Sequence, residues 1–475
     1  MITKNYDATS LQKVYSCIEI KEYNDTKKKV GKQLQKIVRD YFRGEFDSSF
    51  TALRALESET LSVSDSRDIQ KVLGIFYLGQ LLDLPSYHSI LFAHGITSTN
   101  PQTRYNILCK ELTNNKLRLI FESILAELLS RKLVELRAKS DSTWSRMKVT
   151  AVLDDSIFRQ WLDNMSDDEY FKSWFSGQFG RTAYGFKVLT FGVVIDGIFF
   201  PLFIDFVKKG APKEAQHIPT AVKAVEKWGK FVAKLRKLGV LLPTIPLSCD
   251  SGYSDKRLEA ACAANALICI SVPKKNHKII YENIEINLST FIDTVFLPAE
   301  LVHNLSEKDK EKDEKTPFWI RKRCFYKALG KEVTFLFFRL NGSKNVSVIY
   351  CNDKNITAKS LRRHWFQRTQ IEQFFRLIKH TLKIAEAKTT NKDQFELKLF
   401  RFVFIGLHVQ LFTRFVRKKN KKWRNLGFEQ IRRLIIFEVN KIDILEELLK
   451  TPFARKNKHK NMEINKLDNS SMIPI

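Results

Sequence analysis

The sequence lacks the cysteine pattern of a disulfide-bonded or zinc-binding protein. Its seven cysteines are odd in number, and none has C-x-x-C spacing, which argues against both classes. The first residues carry no basic leader followed by an apolar run, and no uncharged stretch reaches the roughly 18 residues of a membrane span. We therefore expect a soluble, unexported cytoplasmic protein with reduced thiols and no membrane partner.

Acidic residues are scarce relative to basic ones. The 52 Asp and Glu face 80 Lys and Arg, which leaves a formal charge of +28. Such an excess attracts polyanions, so nucleic acid is the first partner to consider. A coding bias that inflates lysine would give the same excess. The net charge alone therefore does not establish a nucleic-acid partner, and a functional site must support that conclusion. With 475 residues, the chain is long enough to bury more than one core.

Residues 1–145 have neither a glycine loop nor an acidic cluster. Apolar residues recur at three- and four-residue spacing over Gln33–Phe42 and Lys116–Leu136, a pattern that predicts helices. We expect a mainly helical N-terminal region whose roles are packing and DNA contact.

Residues 146–272 alternate strand-like and helix-like segments in the order βββαβαβ, which predicts a mixed α/β sheet with crossover helices. The second and third strands are joined by Asp196-Gly197, a strong hairpin signal. The helices are predicted over Gln216–Leu238 and Lys256–Ala264. The predicted strands are Val149–Leu153, Phe186–Ile195, Ile198–Val207, Thr244–Cys249 and Ala266–Val272.

Residues 273–475 divide into four parts. Residues 273–352 are predicted to form an inserted β-rich subdomain, with strands at Phe291–Leu297, Val333–Leu340 and Val346–Tyr350. Residues 353–418 are predicted to be helical and to complete the core, with helices over Ala358–Ile384 and Gln394–Arg417. Residues 419–452 are a further helical segment. Residues 453–475 are basic and poor in large apolar groups, so we expect a disordered tail.

Two strand-like runs end in acids. Asp154 and Asp155 follow Leu153, and Asp250 follows Cys249. Carboxylates at strand ends can project from the rim of a sheet towards metal or substrate, although a turn or helix-cap role gives the same pattern. Strand alternation places Asp154 and Asp155 on opposite faces.

The segment from His364 to Lys379 is the most specific in the chain. On a helix, its apolar residues form one stripe, while Trp365, Arg368, Glu372 and Lys379 form a second stripe about a quarter-turn away. Arg368 and Glu372 could be an ordinary surface ion pair. The alternative is a helix that docks on the sheet and directs this second stripe at its rim.

Trp365, Arg368, Glu372 and Lys379, spaced by three, four and seven residues, resemble the Tyr-x2-Arg-x3-Glu-x6-Lys signature of bacterial insertion-sequence transposases with a DDE triad. Tryptophan replaces tyrosine at the first position. The resemblance covers about residues 147–415. It implies a ribonuclease-H-like, or retroviral-integrase-like, catalytic core, into which some members insert a β-rich subdomain.

The resemblance also implies roles for individual residues. Asp154, Asp250 and Glu372 would be the catalytic and metal-binding triad, and Arg368, Lys379 and Trp365 would contact DNA. The Asp-Asp-Ser order resembles a family pattern in which the first acid is the ligand, which favours Asp154 over Asp155. The cofactor would be Mg2+ or Mn2+, as a pair of ions.

Further expectations concern partners and activity. The protein would act as a homodimer on double-stranded DNA, cleaving terminal inverted repeats and joining them to target DNA in a bacterial cytoplasm. Two alternatives remain: a ribonuclease-H-like nuclease without strand transfer, and an inactive DNA-binding regulator derived from a transposase.

Basic stretches at 27–29, 362–363 and 417–422 are phosphate contacts or solvated surface. Trp319 is either a core residue or a wedge that stacks on a displaced base.

Overall fold

The computed structural model describes residues 23–51, 114–138, 149–159, 170–176, 180–209, 217–296, 318–340, 345–384 and 389–438, together with single positions between 69 and 81. The predicted tail at 453–475 lies outside these residues. The chain divides into two compact units. One comprises the described residues of 1–113 and 408–469, and the other those of 114–407. The division into six parts drawn from the sequence stays a prediction.

Three long strands begin the sheet of the larger unit: β1 (Val149–Arg159), β3 (Arg181–Ile195) and β4 (Ile198–Phe206). Strand β3 is antiparallel to both β1 and β4. Strand β2 (Phe171–Ser176), which the sequence pattern did not indicate, pairs with the first half of β3. The predicted two-residue hairpin is confirmed, because Asp196 and Gly197 adopt φ angles of 54° and 79° between β3 and β4.

Two parallel strands follow on the other side of β1. Helix α3 (His217–Lys237) leads to β5 (Ile245–Cys249), and helix α4 (Lys256–Ala264) leads to β6 (Leu267–Ser271). Strand β5 is parallel to β1 and to β6. The predicted mixed α/β sheet with crossover helices is therefore confirmed at this level.

Five further strands continue the same sheet from β6. They are β7 (Lys278–Tyr281), β8 (Ile284–Asn287), β9 (Phe318–Tyr326), β10 (Lys331–Arg339) and β11 (Ser347–Cys351). In space β11 adjoins β6, followed by β10, β9, β7 and β8, all antiparallel. The β-rich segment thus extends the sheet, and its inner face buries a cluster that includes Phe335, Phe337 and Tyr350.

The strand predicted at Phe291–Leu297 is wrong. Leu288–Thr290 and Phe291–Phe296 form consecutive helical turns. Leu288, Phe291 and Ile292 are all buried in the cluster beneath β9 and β10. These positions are separated by three and four residues, so one helical face points into the cluster. A run of β-branched and aromatic residues concealed this spacing.

Helices cover both faces of the sheet. Trp228 of α3 contacts Phe191 on one face, with ring centroids 5.8 Å apart. On the other face lie α5 (Ala358–Gln367) and α6 (Thr369–Arg376), where Phe374 contacts Phe199 at 5.2 Å. Helix α2 (Asn114–Arg137) also borders β4. The single helix predicted over Ala358–Ile384 is interrupted at Arg368 and ends in π-helical turns at Leu377–Thr381.

The smaller unit is helical. It contains α1 (Tyr23–Tyr41), the end of α7 (Lys392–Lys419) and α8 (Phe428–Glu438). Its interior is aromatic and surrounds the fully buried His408, which accepts or donates hydrogen bonds at both ring nitrogens. By length and composition α7 could also cross a membrane, but most of its apolar stretch is buried inside the protein, as in a core helix.

Candidate active site

Strand β1 carries the first acids. The strand was predicted to end at Leu153, but it continues through Asp154 and Asp155 to Arg159, paired throughout with β3. The predicted strand end is therefore wrong, because ladder hydrogen bonds to β3 outweigh the low strand preference of aspartate. The two acids point to opposite faces, as strand alternation requires.

Asp155 faces away from α5 and α6 and is held by two partners. The Tyr253 hydroxyl donates to Asp155 Oδ2 at 2.7 Å, and Lys187 Nζ lies 3.1 Å from Asp155 Oδ1. Burial and the neighbouring Asp155 raise the pKa of Tyr253 well above its usual value, so the tyrosine stays a donor. Asp155 therefore ties β1 to the loop after β5.

Asp154 faces α5 and α6 and is almost enclosed, with 15% of its side chain exposed. Its Oδ1 accepts the backbone N–H of Asp155 at 2.9 Å. Burial raises the pKa of Asp154 to about 7; Arg368 opposes this shift, and Asp155 and Asp250 add to it. The carboxyl thus lies where negative charge is costly and a further cation would stabilise it.

Asp250 lies beside Asp154 at the same level of the sheet. Leu153 and Cys249 are paired in the parallel ladder of β1 and β5, and each acid is the next residue along the chain. Asp250 also begins a short 3-10 turn, where its Oδ1 accepts Ser251 N–H at 2.8 Å. The hydroxyl of Ser271 on β6 donates to the backbone carbonyl of Asp250 at 2.9 Å. Asp250 thus caps the 3-10 turn and also lies beside Asp154.

Arg368 links the strand acid to the helix acid. Its Nη2 lies 2.6 Å from Glu372 Oε1, and its Nη1 lies 3.3 Å from Asp154 Oδ2. Glu372 is on the first turn of α6 and is about half-exposed. The Arg368 guanidinium is also 5.2 Å from the centroid of the Trp365 ring. The structure brings Asp154, Asp250, Arg368 and Glu372 into one region.

The docking of α5 depends on two buried hydrogen bonds that the sequence pattern did not reveal. Thr150 Oγ1 bonds His364 Nδ1 at 2.7 Å, and Ser248 Oγ donates to the His364 carbonyl at 3.1 Å. Burial lowers the pKa of His364 to about 4, so its ring is neutral at physiological pH. These bonds attach α5 to the two strands that carry Asp154 and Asp250. The available signal was Thr150, a polar residue on the same strand face as Asp154.

Lys379 lies in the π-helical turns after α6 and is directed at β1. Its Nζ donates to Ser156 Oγ at 2.6 Å and to the Ile157 carbonyl at 2.7 Å. Burial lowers its pKa to about 8, although Asp154 and Asp155 oppose the shift. The predicted phosphate contact would require this ammonium to leave the strand, and it stays a prediction.

The chemistry of the acids fits a hard divalent cation. Asp154, Asp250 and Glu372 offer only carboxylate oxygens, the ligands that Mg2+ and Mn2+ prefer. Among the described residues, no three His, Cys, Asp or Glu side chains are gathered closely enough to hold a metal ion. Arg368 contacts two of the three acids and supplies positive charge between them. Binding of a metal ion by all three acids would require Arg368 to break its contact with at least one of the two carboxylates.

Trp319 is part of a packed stack. Its ring lies parallel to Phe338 at 4.7 Å, and the Arg362 guanidinium covers it at 3.8 Å. It borders a buried cluster beneath α5. These contacts match the core alternative for this residue. All five cysteines within the described ranges are buried and free.

Comparison with known proteins gives distant similarity to solved structures only. No protein-family model matches the chain, and no curated protein matches it. Among solved structures, it resembles a piggyBac transposase determined by cryo-EM in a synaptic complex with hairpin DNA. The identity is 10%, the match covers 88% of this chain and 82% of that chain, and the TM-score is 0.38. A similarity this low carries no function from that protein to this chain.

Proposed function

We propose that this chain is a metal-dependent DNA transposase whose triad is Asp154, Asp250 and Glu372. One observation carries the proposal. Asp154 and Asp250 directly follow Leu153 and Cys249, which are paired between the parallel strands β1 and β5, and Arg368 joins Asp154 to Glu372 on the helix docked above. The strand order, three antiparallel strands followed by two parallel ones, supports a ribonuclease-H-like core.

In this proposal, Asp154, Asp250 and Glu372 would hold a pair of Mg2+ or Mn2+ ions. When bound, such ions would supply activation of a water or a DNA 3′-hydroxyl and stabilisation of the leaving oxygen. Arg368 releases a carboxylate and binds a DNA phosphate, for which its planar guanidinium is suited. Asp154 remains ionised because positive charge replaces the lost arginine contact. Trp365, whose ring centroid lies 5.2 Å from the Arg368 guanidinium, would help to hold this arginine through a cation-π contact.

The partner would be double-stranded DNA, namely the inverted repeats that end the mobile element and the target into which they are joined. The formal charge of +28 supports a polyanionic partner. A homodimer would hold the two ends together in the bacterial cytoplasm. Lys379 would assist by fixing β1 beneath Asp154 or by contacting phosphate, two roles that predict different salt dependence of DNA binding.

The test uses a plasmid that carries the DNA flanking this gene on both sides, incubated with protein and Mg2+ or Mn2+. We expect metal-dependent cuts at inverted repeats, and no cuts with Asp154→Asn, Asp250→Asn or Glu372→Gln. The matched control Glu226→Gln, an exposed acid on α3, should cleave as the wild type does. Full cleavage by any triad variant would remove that residue from the proposal.

Two further measurements separate the alternatives. Pre-cleaved repeat ends are offered together with a circular target plasmid, and joined products are counted. Joining supports a transposase, whereas cutting without joining would indicate a nuclease. Tight binding to the ends with no metal-dependent cut at all would indicate a regulator that has lost its activity.

A further inference from the structure

A cluster of arginines lies on the β-rich extension next to α5. Arg321 and Arg323 are two residues apart on β9, so their side chains share one face of the sheet. That face also carries Trp319, on whose ring the Arg362 guanidinium of α5 rests at 3.8 Å. We call Arg321, Arg323 and Arg362 the arginine strip.

The strip contains more positive charge than the described residues around it neutralise. Nη2 of Arg321 and Nη2 of Arg323 both donate to one acceptor, the Lys354 carbonyl, at 2.7 and 2.8 Å. One neutral oxygen cannot balance two guanidinium charges held side by side. In the part of the chain that the structure describes, none of the three arginines forms an ion pair with a carboxylate. The nearby Glu332 is paired with Lys354 Nζ at 3.1 Å.

The strip is also held in place rather than loosely solvated. Arg362 lies over an aromatic stack of Trp319 on Phe338, and such stacking keeps a guanidinium flat and leaves its N–H edges outward. Arg321 is half-buried, and its Nε has no hydrogen-bond partner among the described residues. Arg323 and Arg362 are exposed. A side chain that is fixed in advance loses less entropy when it binds a ligand.

We infer that the arginine strip binds the phosphate backbone of duplex DNA beside the acid site. Guanidinium groups match phosphate oxygens in geometry and charge. Arg362 lies on α5, and Arg368, which directly follows α5, contacts Asp154 and Glu372, so the strip and the acids adjoin the same helix. Trp319 acts as the platform beneath Arg362 and not as a wedge between bases.

The inference rests on the proposed function in one respect, namely that the polyanion is DNA. Its test measures DNA binding and requires no cleavage. Binding of a short labelled DNA duplex is measured in EDTA over about 50 to 200 mM salt. The variant Arg321→Gln, Arg323→Gln, Arg362→Gln is compared with the wild type. We expect weaker binding at every salt concentration, and a slope of log affinity against log salt that is smaller by about 0.9 per lost contact, nearly three in total.

The matched control removes the same charge from the opposite face of the sheet. Lys230, Arg236 and Lys237 are exposed on α3, and their triple replacement by glutamine should leave the slope within about one of the wild type. The strip variant with lysine at all three positions should keep most of the slope. Thermal melting of each variant verifies that it folds.

Two results would overturn the inference: an unchanged slope in the glutamine strip variant, or an equal loss in the control. A protein that cuts no DNA but shows the strip effect would refute the proposed function and leave the strip intact. Conversely, metal-dependent cleavage together with an unchanged slope would leave the proposed function and refute the strip.

Discussion

The substitution Asp154→Asn should stabilise the protein while abolishing its proposed activity. An asparagine at this position would keep the acceptor for the Asp155 N–H and the volume of the side chain. It would remove the charge and the second oxygen, which accepts from Arg368 Nη1 at 3.3 Å. In the native protein that charge is nearly enclosed, and burial raises its pKa to about 7 despite Arg368. The acid is therefore held at a cost in folding free energy, as is common where a group serves a function.

The size of the stabilisation follows from the pKa shift of Asp154. The pKa rises from 3.8 to about 7, and one unit corresponds to about 1.4 kcal/mol, which sets an upper bound of about 4 kcal/mol. Between these pH values the native protein binds the proton that the unfolded chain has lost, so its unfolding free energy falls as pH rises. The stabilisation by asparagine is accordingly absent near pH 4 and complete above about pH 7.

Urea denaturation in EDTA measures this difference at several pH values, with Glu226→Gln as a control for loss of one exposed acid. We expect a gain of about 1 to 4 kcal/mol for Asp154→Asn at about pH 8, and almost none at about pH 4. If the variant were no more stable than the wild type at pH 8, or if the difference did not change with pH, the account of Asp154 as a costly buried charge would fail.

Three other outcomes are expected. Thr150→Val, which keeps the side-chain volume, should lower the unfolding free energy by about 1 to 3 kcal/mol because His364 Nδ1 loses its partner; urea denaturation measures the loss, and an unchanged midpoint would contradict it. Burial lowers the pKa of His408 to about 3, so its ring stays neutral in the native protein. As pH falls below about 6.5, His408 should lower the unfolding free energy by about 1.4 kcal/mol per pH unit, in addition to the contribution of His364; urea denaturation of His408→Asn should show a slope smaller by that amount, and an unchanged slope would contradict it. Lys379→Met should slow cleavage without changing the salt slope of DNA binding if its ammonium stays on β1, whereas a slope smaller by about one would indicate a phosphate contact.

Local chemistry made some of the fold predictable. Asp196-Gly197 specifies its turn because both positions need positive φ. Helix α4 matches its apolar spacing and begins at an aspartate cap. Strand β9 was not recognised because Arg321, Lys322 and Arg323 interrupt its apolar pattern. Its neighbours β10 and β7 supply the pairing that local sequence cannot reveal.

The sequence predicted which residues of the candidate site are neighbours on one helix, but it did not predict the contacts between distant parts of the chain. Four-residue spacing placed Arg368 and Glu372 together, and their ion pair at 2.6 Å agrees with that spacing. The sequence could not reveal that Arg368 also reaches Asp154, since those residues lie 214 positions apart. It likewise gave no sign that Lys379 turns towards β1, because the direction depends on the π-helical turns after α6. Contacts of this kind depend on tertiary packing.

The most direct test of the central claim is binding of Mn2+ followed by electron paramagnetic resonance, which requires neither DNA nor activity. The wild type should bind Mn2+, and Asp154→Asn, Asp250→Asn and Glu372→Gln should each lose at least about tenfold in affinity. Asp155→Asn and Glu226→Gln should bind as the wild type does. Equal affinity in the wild type and all three triad variants would contradict the assignment of Asp154, Asp250 and Glu372 as one metal site.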